Sequence, residues 1–278
     1  MSVIPRPAVS SSPAPPSQRQ VRVQRWLDGR TEDTLDRVAE ELPIALSYNG
    51  VPHVVMLATP ADIEDLAVGF SVTEAVVERF DEISSLETVR EGDGYEVRIR
   101  VAGERMAALL QRKRNLFSRT GCGLCGAETM EQAMRHPALV GKGVSVDVAE
   151  LHATLAGLQS LQSLNAQTGS VHAAAWVLPG RGIQLLREDV GRHNALDKVI
   201  GALLRAGTDP TRGYIIITSR GSYEMVLKTA TVGIALLVAV SAPTALAIRL
   251  AEDAGVTLVG FARARQHVVY SHGQRVVA

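Results

Sequence analysis

The 278-residue chain is 46% apolar and 21% charged, with 29 basic and 29 acidic side chains that cancel. That is enough chain to bury a sizeable core, in one large domain or two modest ones, and the balanced charge argues against nucleic acid as a partner. Two cysteines are too few for a disulfide framework and favour a reducing, cytoplasmic setting.

Residues 1–20 are rich in Pro, Ser and Ala and lack the apolar core of a signal peptide, so a disordered tail is expected. Residues 21–115 read as a small α/β roll. A strand is expected over 21–26, a hairpin over 42–58 turning at Asn49-Gly50, and a second hairpin (86–90 and 95–101) around Gly92-Asp93-Gly94. Between them a helix opens with Thr59 as N-cap and Pro60 at its first position. Ile63, Leu66, Ala67, Phe70 and Val77 make its apolar stripe, leaving Glu64, Asp65 and Glu74 as a solvated face. A further helix, 103–115, carries Arg112, Lys113 and Arg114 towards the next segment.

That segment, the loop 116–127, contains Arg119-Thr120-Gly121-Cys122-Gly123-Leu124-Cys125-Gly126, with both cysteines of the chain. Its glycines permit the positive φ of a sharp, displayed turn. The neighbouring cations favour thiolate over thiol. Two thiols so spaced can divide a reaction, one sulfur carrying and the other resolving. They equally suit half of a zinc site, a thioredoxin-like redox pair, or two ordinary small residues. No second cysteine pair and no His-x-x-x-His accompanies them.

Residues 128–278 read as a second α/β domain. A short helix is expected over 128–136 and a longer one over 146–164, with Asp147 and Glu150 spaced as a capping box. A hairpin (173–178 and 182–186) precedes alternating elements: helix 194–206, strand 214–218, helix 224–231, strand 235–240, helix 244–254 and strand 256–261. The most apolar run, 232–240, is far shorter than the roughly 20 residues that span a bilayer, so no membrane span is expected. Helices between short β-branched runs argue for a mixed sheet covered on both faces, with sites at the carboxyl ends of its strands.

Four polar clusters fall at such ends: Glu188-Asp189-Val190-Gly191-Arg192-His193-Asn194, Ser219-Arg220-Gly221-Ser222, Ser241-Ala242-Pro243-Thr244, and Phe261-Ala262-Arg263-Ala264-Arg265-Gln266. Each alone reads as a turn with a helix cap. Together they suggest a pocket for a phosphorylated, nucleotide-like ligand, although neither a Walker loop nor Gly-x-Gly-x-x-Gly is present.

The Cys-Gly-Leu-Cys loop, Thr168-Gly169-Ser170-Val171-His172, and the runs 188–198, 219–228 and 241–263 resemble the FdhD family of formate dehydrogenase accessory sulfurtransferases. The resemblance extends over nearly all of 21–271. It implies a homodimeric enzyme that takes persulfide sulfur from a cysteine desulfurase and passes it to the molybdenum cofactor in its bis-molybdopterin guanine dinucleotide form, for the formate dehydrogenase catalytic subunit. By the same resemblance Cys122 carries the persulfide, Cys125 assists or relays, and the cofactor contact maps to Phe261, Ala262, Arg263, Ala264, Arg265 and Gln266. GDP would mimic part of that cofactor. Arg192 and Arg220 are further candidate anchors for its phosphates, with His172 and His193 as candidates to orient groups or move protons. The second half is expected to have a cytidine deaminase-like three-layer α/β/α fold. Ser170 and Ala75 stand where the family commonly has glycine. The deaminase machinery is missing, because Ala173-Ala174-Ala175 follows His172 and no proline precedes Cys122. A scaffold that binds the cofactor without transferring sulfur is the alternative reading.

Overall fold

The computed structural model describes the backbone of residues 16–117 and 135–278, and side chains over 16–111 and 135–278. Cys122, Cys125, Arg119 and most of the helix expected over 128–136 lie outside the described residues, as do the side chains of Arg112, Lys113 and Arg114.

The chain opens with a two-stranded antiparallel ribbon, β1 (Gln18–Leu27) and β2 (Arg30–Ala39). β1 thus begins inside the stretch expected as a tail. β2 was missed, although its turn was written in the sequence. Asp28 and Gly29 have φ of 49° and 76°, the left-handed pair that an Asp-Gly hairpin turn requires. Next come β3 (Leu42–Tyr48), β4 (Val51–Ala58), β5 (Ile83–Glu91) and β6 (Gly94–Val101) in the order β4-β3-β6-β5. Asn49-Gly50 makes the expected turn, with φ of 49° and 81°. The parallel pairing of β3 with β6 brings the two hairpins into one sheet.

Helix α1 (Ile63–Thr73) packs on that sheet through Ile63, Leu66, Ala67 and Val72. It starts at Ile63, with Asp62 at its N-cap in a left-handed conformation, rather than at Thr59. Thr59 is fully buried and bonds elsewhere: its N–H donates to Asp189 and its hydroxyl accepts from Val190 N–H. The acids Glu64, Asp65 and Glu74 are likewise not a solvated face. Arg205 binds both Glu64 and Asp65, Arg187 also binds Asp65, and Glu74 pairs with Lys228 and Arg135. A second helix packs over the face of α1 that a single sequence leaves free and brings Arg205 to Glu64 and Asp65, while Arg187, Lys228 and Arg135 arrive from other segments.

Ala75, just beyond α1, has φ of 53°. A side chain in that conformation costs roughly 1–2 kcal/mol. Relieving it outweighs the about 0.4–1 kcal/mol that a glycine returns to the unfolded chain. Ala75→Gly is therefore expected to raise the urea midpoint; a lowered midpoint would show that the alanine methyl packs better than its backbone is strained.

After α2 (Gly103–Phe117), the described chain resumes at Arg135. A short strand, β7 (Val146–Asp147), leads into α3 (Val148–Leu158), a 3-10 turn and α4 (Ser163–Thr168), so the single long helix expected over 146–164 is broken. Asp147 caps α3 as expected, accepting from Ala149 and Glu150 N–H, but the Glu150 carboxylate accepts from Gly180 N–H instead of completing a box.

The remaining strands are β8 (His172–Leu178), β9 (Gly182–Asp189), β10 (Tyr214–Ile217), β11 (Leu236–Ala239), β12 (Thr257–Arg263), β13 (Gln266–Ser271) and β14 (Val276–Val277). Six of them form one sheet, β13-β12-β11-β10-β8-β9, while β14 pairs with β7. Between its strands run α5 (Arg192–Arg205), α6 (Tyr223–Thr231) and α7 (Ala245–Ala254). Alternation along β10 divides the core: Ile215 and Ile217 pack among residues of α5, α6 and α7, whereas Tyr214 and Ile216 pack with Leu151 and Leu155 of α3. Helices therefore cover both faces of a mixed α/β sheet.

α1 joins the two sheets by lying against α5 at very close range. A Cβ on Gly69 would fall 1.9 Å from Asp197 O, and one on Gly201 would fall 1.9 Å from Asp65 O. Only glycine permits backbones this near.

Candidate functional site

The four polar clusters meet at one edge of the six-stranded sheet. Parallel strands β10, β11 and β12 all end there. Antiparallel β8 begins there and β9 ends there, with His172 opposite Asp189. Backbone bonds tie the clusters into a row: Thr218 N–H to Ala173 O at 3.0 Å, Gly221 N–H to Ala242 O at 3.1 Å, Thr244 N–H to Gly221 O at 3.1 Å and Phe261 N–H to Ser241 O at 3.1 Å. The convergence expected from strand ends is thus realised.

Within the row the acids are structural. Glu188 receives Leu164 and Asn165 N–H at the start of α4. Asp189, fully buried, receives Thr59 and Gly191 N–H, the Asn194 amide and the Lys198 ammonium. It thereby shapes the turn that presents Arg192 and His193. Sequence reasoning gave Lys198 no role, yet it lies wholly buried among apolar neighbours on α5. A lysine on the apolar stripe of an amphipathic helix was the available signal.

Other groups at this edge are exposed or lack a partner among the described residues. Arg192 Nε and Ser222 Oγ are buried and have no hydrogen-bond partner among the described residues, a costly state unless something else supplies one. Arg220, Arg263 and Arg265 are exposed cations on the same edge. Phe261 holds φ of 50° and is 44% exposed. A bulky residue in the left-handed region is a strained exception, and here it leaves an aromatic ring in the open. Ala262 turns inward and is buried, while Ala264, Arg265 and Gln266 stay exposed around the β12–β13 turn. His193 Nε2 lies 2.8 Å from the Glu224 carboxylate. Burial, then the nearby Arg192 and His193, push the His172 imidazole below its ordinary range, so it is neutral at pH 7.

Cations, unsatisfied donors and an exposed ring suit an anionic ligand with a flat base. A separate groove of about 420 Å³ runs along β9, lined by residues 183–188, and contains none of these open groups. Among the described residues no helix is long and apolar enough to cross a membrane.

The sequence model of the FdhD/NarQ family matches residues 39–277. The sulfur carrier protein FdhD of Cupriavidus necator is 50% identical over 270 residues, covering 97% of this chain and 94% of that protein. The protein of the same name from Xanthomonas euvesicatoria pv. vesicatoria is 50% identical over 268 residues, covering 94% and 95%. A crystal structure from Desulfotalea psychrophila, of a protein described as a formate dehydrogenase accessory protein, has a TM-score of 0.73 and 24% identity, covering 94% of this chain and 100% of that one. At that identity it speaks for the fold alone.

Proposed function

We propose, given that this chain belongs to the FdhD/NarQ family, that it is a sulfurtransferase working in the cytoplasm. It accepts persulfide sulfur from a cysteine desulfurase on Cys122 and passes it to the molybdenum cofactor, as the bis-molybdopterin guanine dinucleotide, which formate dehydrogenase requires. The observation that carries this reading is the Cys122-x-x-Cys125 pair, the only thiols of the chain, in a protein half identical to relatives named sulfur carriers.

The chemistry follows from the parts. The Cys122 thiolate attacks the outer sulfur of the donor's persulfide; the donor S–S bond breaks, its cysteine leaves as thiolate, and Cys122 becomes the persulfide. Arg112, Lys113, Arg114 and Arg119 are close in sequence and favour the attacking thiolate. For release, once the cofactor is bound, Cys125 thiolate attacks the inner sulfur of the Cys122 persulfide. That step frees hydrosulfide, forms a Cys122–Cys125 disulfide and draws its two electrons from the pair, which a cellular thiol then restores.

The cofactor is the substrate here, and it supplies the metal that receives the sulfur. The protein's edge supplies its binding. Arg192, Arg220, Arg263 and Arg265 are the candidate partners for its phosphates, with Ser222 Oγ as a further donor and Phe261 as a platform for guanine. Neutral His172 is suited to accept a proton, and His193, held by Glu224, to orient a group. Helices on both faces of the sheet support the cytidine deaminase-like kinship, and a homodimer is part of the same reading.

Intact-mass analysis after incubation with a desulfurase and cysteine tests the proposal. Wild type and Cys125→Ala are expected to gain about 32 mass units, one sulfur atom, reversibly with reductant; Cys122→Ala is expected to gain none. No gain in any form would leave a cofactor-binding scaffold as the account.

A further inference from the structure

Arg135 is the first described residue beyond the two cysteines, and it is fixed from three directions. Its guanidinium donates to Thr73 O at 3.2 Å and to the Glu74 carboxylate at 2.7 Å, and its carbonyl accepts the Tyr223 hydroxyl at 2.8 Å. Glu74 is itself held from behind. Its other oxygen accepts from Lys228 Nζ at 2.9 Å, and that lysine, 4% exposed, also binds Thr73 Oγ1 and both oxygens of the buried Asp197. Burial pushes the Glu74 carboxyl up, but Lys228 and then Arg135 more than reverse this and keep it below its usual range. An acceptor so anchored differs from an ordinary surface ion pair, whose ends are free to move.

Tyr223 is the first residue of α6 and stands between Ser222 and Glu224. Three consecutive residues therefore carry three different features: Ser222 has a buried Oγ with no partner among the described residues, Tyr223 binds the chain leaving the cysteines, and Glu224 binds His193. α1, which contributes Thr73 and sits beside Glu74, is locked to α5 by the glycine contact already described.

We propose that Arg135, Glu74 and Tyr223 are positioning residues for sulfur delivery, fixing the chain that leaves the cysteine segment to the same turn of α6 that borders the cofactor edge. The inference deepens the reading of Cys122 as carrier and rests on it. Transfer between two bound groups is steeply sensitive to placement, about a hundredfold for a 1 Å error. Loading from an external donor needs no such registration with the edge. The two half-reactions should respond differently to loss of the clamp.

The test is Tyr223→Phe, which removes one hydroxyl and keeps the ring, with Glu74→Gln as a second variant. Tyr223→Phe is expected to gain sulfur and bind GDP as wild type does, while its rate of activating formate dehydrogenase falls about tenfold. Amide exchange over residues 136–140 is expected to rise about fivefold, the effect of one lost hydrogen bond. Glu74→Gln should move delivery and exchange further in the same direction. A Tyr223→Phe protein with unchanged exchange, or with loading and delivery falling together, overturns the proposal. If the wild-type protein itself takes up no sulfur, the carrier reading has failed; the exchange rates then judge the clamp by themselves.

Discussion

Gly201→Ala is expected to destabilise the protein by at least about 3 kcal/mol, the upper range for overpacking a core, although alanine is the better helix former. In an exposed helix interior the same change gains about 1 kcal/mol. The sign is reversed here because Gly201 lies where α5 crosses α1. A Cβ would fall 1.9 Å from Asp65 O, 2.7 Å from Asp65 C and 2.8 Å from Gly69 N. All three atoms are backbone, so no change of rotamer relieves the overlap and the helices must move apart. Moving them stretches the pairs of Arg205 with Glu64 and Asp65. Gly69→Ala meets the mirror-image obstacle at Asp197 O. The double variant should cost less than the sum, because helices already separated by one methyl accept the second more easily. Urea denaturation decides the matter, and a Gly201→Ala midpoint above wild type would show that the close approach is not maintained in solution.

Lys198→Met is expected to cost about 3–5 kcal/mol, as removing one partner of a buried ion pair does. Lys198 and Asp189 have side chains that are 0% exposed. The ammonium also donates to Thr59 O at 2.9 Å. Methionine fills the space but leaves the Asp189 carboxylate with neutral donors only: Thr59 N–H, Gly191 N–H and the Asn194 amide. Adding Asp189→Asn to Lys198→Met removes the stranded charge and should restore part of the loss. The effect should reach the edge as well, since Asp189 shapes the turn before Arg192, and GDP binding should weaken along with stability. A Lys198→Met protein within about 1 kcal/mol of wild type, the range of an exposed pair, would mean that water reaches the site.

The particular successes and failures of reading the chain have a common cause. Asn49-Gly50 announces its turn because the φ values of 49° and 81° are a property of two adjacent residues. Asp28-Gly29 carries the same signal, and only the unassigned strand after it hid the ribbon. The four polar clusters were legible as strand ends because turns and first helical turns are local. Their convergence followed from a sheet in which parallel strands end together.

Asp65 and Glu74 resisted reading for the opposite reason. From the helix alone they are indistinguishable from solvated acids; only the arrival of Arg205, 140 residues away from Asp65, and of Lys228, 154 residues away from Glu74, gives each a partner. The same holds for Lys198 and Thr59, 139 residues apart, and for the parallel pairing of β3 with β6. The sequence by itself determined the Asn49-Gly50 turn, the Asp147 cap, most helix and strand periods and the single pair of cysteines, because these depend on neighbours within a few positions. The tertiary structure alone decided which charges are buried, which glycines must remain glycine, and that Arg135 bonds to the first turn of α6 beside the polar strand ends. Those depend on distances between residues that the chain order does not encode, and desolvation attaches a cost to a charge only once its surroundings are in place.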